Sequence, residues 1–260
     1  MERKHGILVV SFGTSYEETR KKTIDAIENR IRENFKDYKV YRAFTSKIIL
    51  KKLKQSGMNV YSVKEALEAM IKNGITEEII IQPTHVINGI ENEFMLDEVE
   101  KYKKCFKKIK YGNPLLTRTE DYEELAKIIK NTYPVEEKEA LVLMGHGSEH
   151  YSNSAYPAFE YVLKNMGFGN IFVGTVEGYP SLEEVKMQLK KEKMQKACLV
   201  PMMIVAGDHA NNDMAGKNDS WRAELEQEGY PVRYWLKGLG EIREVQDMFV
   251  KHVKEAVKEG

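Results

Sequence analysis

The sequence predicts an α/β fold of two similar Rossmann-like halves. Each half is a mainly parallel four-stranded sheet flanked by helices, with a cleft between the halves. Three observations carry this expectation. Short β-branched runs alternate with longer amphipathic stretches, the pattern of strand–helix units around a parallel sheet. The apolar runs are continuous rather than alternating, as strands covered on both faces require. Stretches of the first half also recur in the second.

The runs that read as strands are Ile7–Val10, Lys39–Arg42, Glu78–Ile81, Lys108–Tyr111, Ala140–Met144, Ile171–Thr175, Ala197–Pro201 and Val232–Trp235. Charged amphipathic stretches between them read as helices: Ser15–Asn34, Ser62–Asn73, Glu93–Lys104, Thr119–Asn131, Ser181–Glu192 and Glu241–Lys258. Ser62-Val-Lys-Glu65 and Ser181-Leu-Glu-Glu184 have the S-x-x-E form of a capping box, which marks a helix start. The lysine runs 47–54 and 101–110 read as solvated helix faces.

Gly6–Thr14 lines up with Ala140–Ser148, and Ile79–Gly89 with Ala197–Gly207. In the second pair a Pro and a Gly fall six residues apart in both copies, at 83 and 89 and at 201 and 207. A duplicated α/β unit explains this, and so does the general likeness of strand–turn–helix units. The pattern fades after Tyr133-Pro134, which suggests an N-terminal half over 1–135 and a C-terminal half over 136–260. Ligands of open α/β sheets bind beyond the carboxyl ends of the strands.

Composition narrows the function. Of 260 residues, 42% are hydrophobic and 31% charged, too apolar for a disordered chain. Forty basic residues balance forty acidic ones, so no global field favours nucleic acid or an anionic membrane. No run approaches the ~20 apolar residues of a membrane span, and Met1–His5 leads into a strand-length run with no leader pattern. Cys105 and Cys198 stand 93 positions apart with no C-x-x-C, which reads as two reduced structural thiols in a cytoplasmic protein.

Candidate chemistry lies at strand ends. His146, in Gly145-His-Gly147, follows an apolar run; the glycines permit a sharp turn and close ligand approach. A glycine turn carrying an incidental His is the alternative. His209 lies in Gly207-Asp-His-Ala-Asn-Asn-Asp213, a loop whose Asp208 or Asp213 could equally cap a helix. Glu177 follows Ile171–Val176, where an acid is costly to bury unless paired or bound to metal. The three are spaced by 31 and 32 residues, about one α/β unit each. Adjacent parallel strands would bring them to one rim. Two imidazoles and a carboxylate suit Co²⁺, Ni²⁺, Fe²⁺ or Zn²⁺ and leave coordination positions open, as catalysis or transfer needs. His5 and His252 read as solvated, His85 as a satisfied core residue, and His150 as a loop residue or an auxiliary metal contact.

Leu8–Ser15, Arg42–Ser46, His85–Gly89, Met144–Gly147, Val176–Pro180 and Pro201–Met214 resemble the anaerobic cobaltochelatases of the CbiK type, relatives of the ferrochelatases. The similarity runs from the first strand to the C-terminal helix. It implies the chelatase-like arrangement of two halves and a tetrapyrrole cleft. It also implies insertion of Co²⁺ into sirohydrochlorin on the oxygen-independent route to cobalamin, with Ni²⁺ or Fe²⁺ accepted in vitro. His146, Glu177 and His209 carry over as metal ligands. The absence of a G-x-x-x-x-G-K-[ST] loop agrees with a reaction that uses no nucleotide.

Metal insertion removes two pyrrole protons, for which His146 and Glu91 are the candidate acceptors. In the repeat alignment Phe12 matches His146 and Glu91 matches His209, so the first half lacks the imidazoles. Glu91 equally fits a first-turn helix acid, and Phe12 a core aromatic. The expected substrate contacts are Ser11, Phe12, Gly13 and Thr14 on a strand-to-helix turn whose amides suit a carboxylate, with Arg42 or Lys47 pairing another. The expected partner is the tetrapyrrole, with no nucleic acid or membrane and with a homo-oligomer left open. A non-catalytic carrier of metal or tetrapyrrole would use the same ligands.

Overall fold

Every apolar run expected to be a strand forms one in the computed structural model, which describes residues 4–258. The strands are β1 (His5–Ser11), β2 (Lys39–Phe44), β3 (Glu78–Pro83), β4 (Lys108–Tyr111), β5 (Glu139–Gly145), β6 (Ile171–Thr175), β7 (Lys196–Pro201) and β8 (Val232–Tyr234). They form two four-stranded sheets of identical order, β2-β1-β3-β4 and β6-β5-β7-β8, parallel throughout. The central strands explain the unbroken apolar runs: Gly6–Ser11 and all of β5 are buried.

The registers support the internal repeat residue by residue. Gly6 faces Ile79 and Val10 faces Pro83 in the first sheet. Their aligned counterparts face each other in the second, Ala140 with Ala197 and Met144 with Pro201. Two unrelated strand–turn–helix units have no reason to share a register.

The helices are α1 (Glu17–Lys22), α2 (Ile24–Asn34), α3 (Lys47–Gln55), α4 (Val63–Lys72), α5 (Ile90–Lys101), α6 (Thr119–Thr132), α7 (Ala155–Asn165), α8 (Leu182–Lys191), α9 (Trp221–Gln227) and α10 (Arg243–Lys258). Both capping boxes form; at α4 the Ser62 amide donates to Glu65 Oε2 at 2.8 Å. The single helix expected over Ser15–Asn34 breaks at Thr23, whose hydroxyl donates to the Thr19 carbonyl at 2.6 Å and whose ψ is −82°. Back-bonding of this kind bends helices. Helices α7 and α9 were not apparent from charge pattern; α9 has only seven residues. No helix among the described residues is long and apolar enough to cross a membrane.

The division of the chain differs from the expected break near 135. One unit holds residues through Thr117 and those from Gly240 onward; the other holds Arg118–Leu239. Helix α6, which follows the first sheet in sequence, packs in the second unit, where Tyr122 meets Phe159 of α7 at 6.1 Å. Helix α10 packs on α2 and β3 of the first unit, with Arg30 bonding Asp247 at 2.7 Å. The repeats thus exchange their last helices, which a strand-by-strand reading misses. In the first unit Leu8, Val10, Ile79 and Ile81 pack against Leu67, Met70, Met95 and Val99. In the second, Val142, Met144, Phe172 and Leu199 pack against Val185, Leu189, Met214 and Trp221.

Several polar residues depart from expectation. His252 is buried on α10, its Nδ1 donating to the Asn113 carbonyl at 3.0 Å, because α10 closes the first unit. Lys110 belongs to β4 and is buried beside Glu78 at 3.4 Å, so the second lysine run is not one solvated face. Cys198 is buried, its thiol pushed up to about 11 by burial, whereas Cys105 is exposed; both are free. Arg42 is committed to the fold. Its Nε bonds Glu28 Oε1 at 2.5 Å and its Nη2 bonds Glu28 Oε2 at 2.9 Å and Asp25. Glu28 is fully buried, so Arg42 neutralises an interior charge and is not free for a substrate carboxylate.

His85, just past β3, is half-buried with both ring nitrogens shielded from solvent, and it is not satisfied. Neither ring nitrogen finds a hydrogen-bond partner in good geometry among the described residues. Burial pushes the imidazole down to about 4, against a smaller opposing pull from the Asn92 amide.

Two predictions follow from these polar residues. Glu28 keeps a second partner, Arg32 Nη2 at 2.7 Å, so Arg42→Met should destabilise the protein by less than the roughly 3–5 kcal/mol of stranding a buried charge outright, and Glu28→Gln in the same chain should restore most of the loss. Urea unfolding of the single and double variants checks this. A stable single variant with a raised KM would instead restore Arg42 to the substrate. For His85, the unfolded chain takes up a proton that the folded chain refuses. The stability held by the neutral ring is therefore complete above pH 6.5 and falls as the pH drops towards 4. Between pH 7 and pH 4 the wild type should lose about 3 kcal/mol more than His85→Leu, as read from urea midpoints at each pH.

Candidate metal centre

In the second sheet β5 lies between β6 and β7, so three neighbouring carboxyl ends meet at one rim. His146 is the first residue beyond β5, Glu177 follows β6, and His209 follows β7. The backbone extends the β5–β6 pairing beyond the strands. Val176 donates to the Gly145 carbonyl at 3.1 Å, and Glu177 to the His146 carbonyl at 2.8 Å. Asn153 clamps the same two loops, its Oδ1 accepting from the Ser148 amide at 3.0 Å and its Nδ2 donating to the Tyr179 carbonyl at 2.5 Å.

The glycines beside His146 answer to the protein rather than to a ligand. A Cβ on Gly145 would lie 2.3 Å from the Tyr156 ring. Gly147 has φ +82°, and a Cβ there would lie 2.6 Å from the Gly178 amide nitrogen. The Gly-His-Gly run thus exists because the His146 loop presses on Tyr156 and on the Glu177 loop.

His209 opens a short turn that continues as a π-helical segment, Ala210–Met214. Ala210 and Met214 are fully buried and anchor one side of the turn in the core. His209 and Asp213, also four apart, share the other side, with His209 Nδ1 at 2.7 Å from Asp213 Oδ2. Asp213 is therefore no helix cap. The spacing of four was the available sequence signal for this pair.

The two imidazole rings meet edge to face, with centroids 4.7 Å apart. One ligand atom from each of His146, Glu177 and His209 lies within 4.8 Å of the others. His146 Nδ1 lies 2.9 Å from the Gly147 carbonyl, which only accepts, so that nitrogen carries the proton. A carboxylate acceptor fixes the same tautomer in His209. Both Nε2 lone pairs are left for a cation. With Glu177 they make an N₂O donor set that is open to solvent and suited to a borderline divalent metal.

The remaining predicted residues separate into engaged and available groups. His150 caps the turn Tyr151–Ser154, its Nδ1 accepting from the Ser152 amide at 3.3 Å, and its ring lies against Tyr151. It is not among the clustered ligands. In the first unit the Ser11 hydroxyl accepts from Thr84 Oγ1 at 2.8 Å, and Thr14 Oγ1 accepts from the Tyr16 amide at 3.1 Å. Gly13 has φ +102°, and a Cβ there would lie 2.6 Å from the Phe44 ring. Ser11, Gly13 and Thr14 are thus engaged by the fold. The helix they precede is only six residues long and opens with Glu17 and Glu18, a poor seat for a carboxylate. Phe12 is different: its side chain is 47% exposed at the sheet's carboxyl rim. Glu91 lies half-buried in the first turn of α5, where helix acids are favoured.

Residues 5–258 match the family model described as cobalt chelatase (CbiK). The sirohydrochlorin cobaltochelatase of Salmonella typhimurium is 37% identical over 257 residues, covering 98% of this chain and 97% of that one. The sirohydrochlorin cobaltochelatase CbiKC of Nitratidesulfovibrio vulgaris is 30% identical over 259 residues, covering 98% and 91%. Among solved structures, SirB from Bacillus subtilis with Fe³⁺ superposes with a TM-score of 0.66 at 15% identity, over 97% of this chain and 95% of that one. CbiX, described as the terminal enzyme of sirohaem biosynthesis in denitrifying bacteria, gives 0.56 at 15% identity over 96% and 99%. The fold is that of these chelatases, and the chain belongs to the cobalt chelatase (CbiK) family.

Proposed function

We propose that this chain inserts Co²⁺ into sirohydrochlorin, and that His146, Glu177 and His209 hold the metal for transfer. The observation that carries the reading is the convergence of three ligand atoms within 4.8 Å from three adjacent strand ends. Full-length similarity to two sirohydrochlorin cobaltochelatases supports the choice of substrate. The N₂O set also accepts Ni²⁺ and Fe²⁺, whose affinities for such donors differ modestly. We place the reaction in the cytoplasm, in keeping with two cysteines that are both free.

The reaction exchanges one Co²⁺ for the two pyrrole N–H protons of the macrocycle. The residues have three tasks in it. The trio strips water from the metal and presents it with open positions. The exposed ring of Phe12 offers a flat apolar face to the macrocycle. Glu91 and, once the metal has left it, His146 are the proton acceptors, each able to contribute ~10²–10⁴-fold as a general base. With Arg42 engaged by Glu28, the exposed Lys47 at the start of α3 is the remaining candidate partner for a substrate carboxylate.

The test is turnover at substoichiometric protein, followed by the visible spectrum of the tetrapyrrole. Multiple turnovers identify an enzyme, and a single equivalent bound without product release identifies a carrier. His146→Ala and His209→Ala should each lower turnover by more than ~100-fold, beyond the effect of losing an outer-shell partner. Both side chains are at least one-third exposed, so unfolding free energies should move by no more than about 0.5 kcal/mol. Near-normal turnover in both variants would remove the pair from the mechanism.

Steady-state kinetics should also separate the first-unit residues. Phe12→Ala should raise KM for the tetrapyrrole and leave Co²⁺ binding unchanged. Glu91→Gln should lower kcat with little change in either KM. A loss of Co²⁺ affinity in either variant would contradict this assignment.

A further inference from the structure

The two histidines are backed differently. His146 Nδ1 meets a neutral backbone carbonyl, that of Gly147, at 2.9 Å. His209 Nδ1 meets the carboxylate of Asp213 at 2.7 Å. No other ion pair of a ring nitrogen in this trio is as close; His146 and Glu177 stand 3.7 Å apart. The His209–Asp213 contact is built into the chain. Ala210 and Met214, each buried and four residues apart, pin the turn so that His209 and Asp213 project together from its other side.

We infer that Asp213 is a positioning residue that makes His209 the anchoring metal ligand and leaves His146 the weaker, releasable one. This rests on the metal reading given above. A carboxylate accepting from Nδ1–H acts in two ways. It fixes the tautomer that presents the Nε2 lone pair outward, and it raises the electron density of the ring as a donor. A carbonyl fixes the tautomer but supplies no net charge. A chelatase has to hold its metal and then release it to the macrocycle. Unequal ligands give that release an order: the bond to His146 breaks first, and His209 keeps the metal in place as the pyrrole nitrogens enter.

Asp213→Asn keeps the size and removes the charge, and Asp213 is 44% exposed, so the fold should be retained. Co²⁺ binding to the protein without tetrapyrrole, measured by calorimetry on wild type, Asp213→Asn, His146→Ala and His209→Ala, decides the matter. Asp213→Asn should weaken Co²⁺ by about 10–100-fold, with the melting temperature and the KM for tetrapyrrole unchanged. His209→Ala should weaken it more than His146→Ala. In the metal-free wild type, long-range ¹H–¹⁵N spectra should give His209 as the Nδ1–H tautomer, and Asp213→Asn should mix in Nε2–H. Co²⁺ affinity within twofold of wild type in Asp213→Asn, alongside lost affinity in His209→Ala, overturns the role of Asp213 and leaves the trio standing. Unchanged affinity in both His→Ala variants overturns the metal reading and this inference with it.

Discussion

The parallel pairing of β5 with β6 on one side and β7 on the other is the constraint on which the candidate metal centre depends. His146, Glu177 and His209 are separated by about one α/β unit each, and nothing local holds them together. Parallel strands in register end at one rim, so the separation of His146 and Glu177 is set by the spacing of β5 and β6, whereas His209, eight residues past β7, is brought to that rim by the loop and the buried Ala210–Met214 turn. The loops then refine what the sheet provides. The bond from the Glu177 amide to the His146 carbonyl carries the pairing one step beyond the strands. Asn153 and the Gly147–Gly178 contact fix the loops against each other. A fold so built loses little stability when one of the three side chains is removed, because the scaffold does not depend on them.

The repeat shows how one frame serves two roles. In both sheets the strand order and register are the same, so Phe12 occupies in the first unit the place that His146 occupies in the second. An exposed aromatic ring and an acid stand in the first unit where the imidazoles stand in the second. Under the function proposed above, the shared frame supplies position and these strand-end side chains divide the work between ring and metal.

Much of this was legible in the sequence because strand runs and strand-end residues are local signals. The eight strands, the capping boxes at Ser62 and Ser181, and the joint placement of His146, Glu177 and His209 all follow from pattern and spacing. What was not legible depends on partners far along the chain. The exchange of α6 and α10 between units cannot be read from amphipathicity, which says that a helix has a buried face but not which sheet covers it. Arg42 looked available because its partners, Asp25 and Glu28, lie on α2, a helix away. His252 looked solvated for the same reason. The Gly-His-Gly run was read as room for a ligand, yet the space beside both glycines is filled by Tyr156 and the Glu177 loop.

The central claim is that the three strand-end residues form one cobalt site. Crystals of the Co²⁺-loaded protein, measured at the cobalt absorption edge, test it most directly. The account predicts an anomalous peak at about 2.1 Å, the usual nitrogen and oxygen distance for such metals, from Nε2 of His146, Nε2 of His209 and a carboxylate oxygen of Glu177. A fully occupied peak elsewhere, or one bonded through Nδ1 of either histidine, would contradict it.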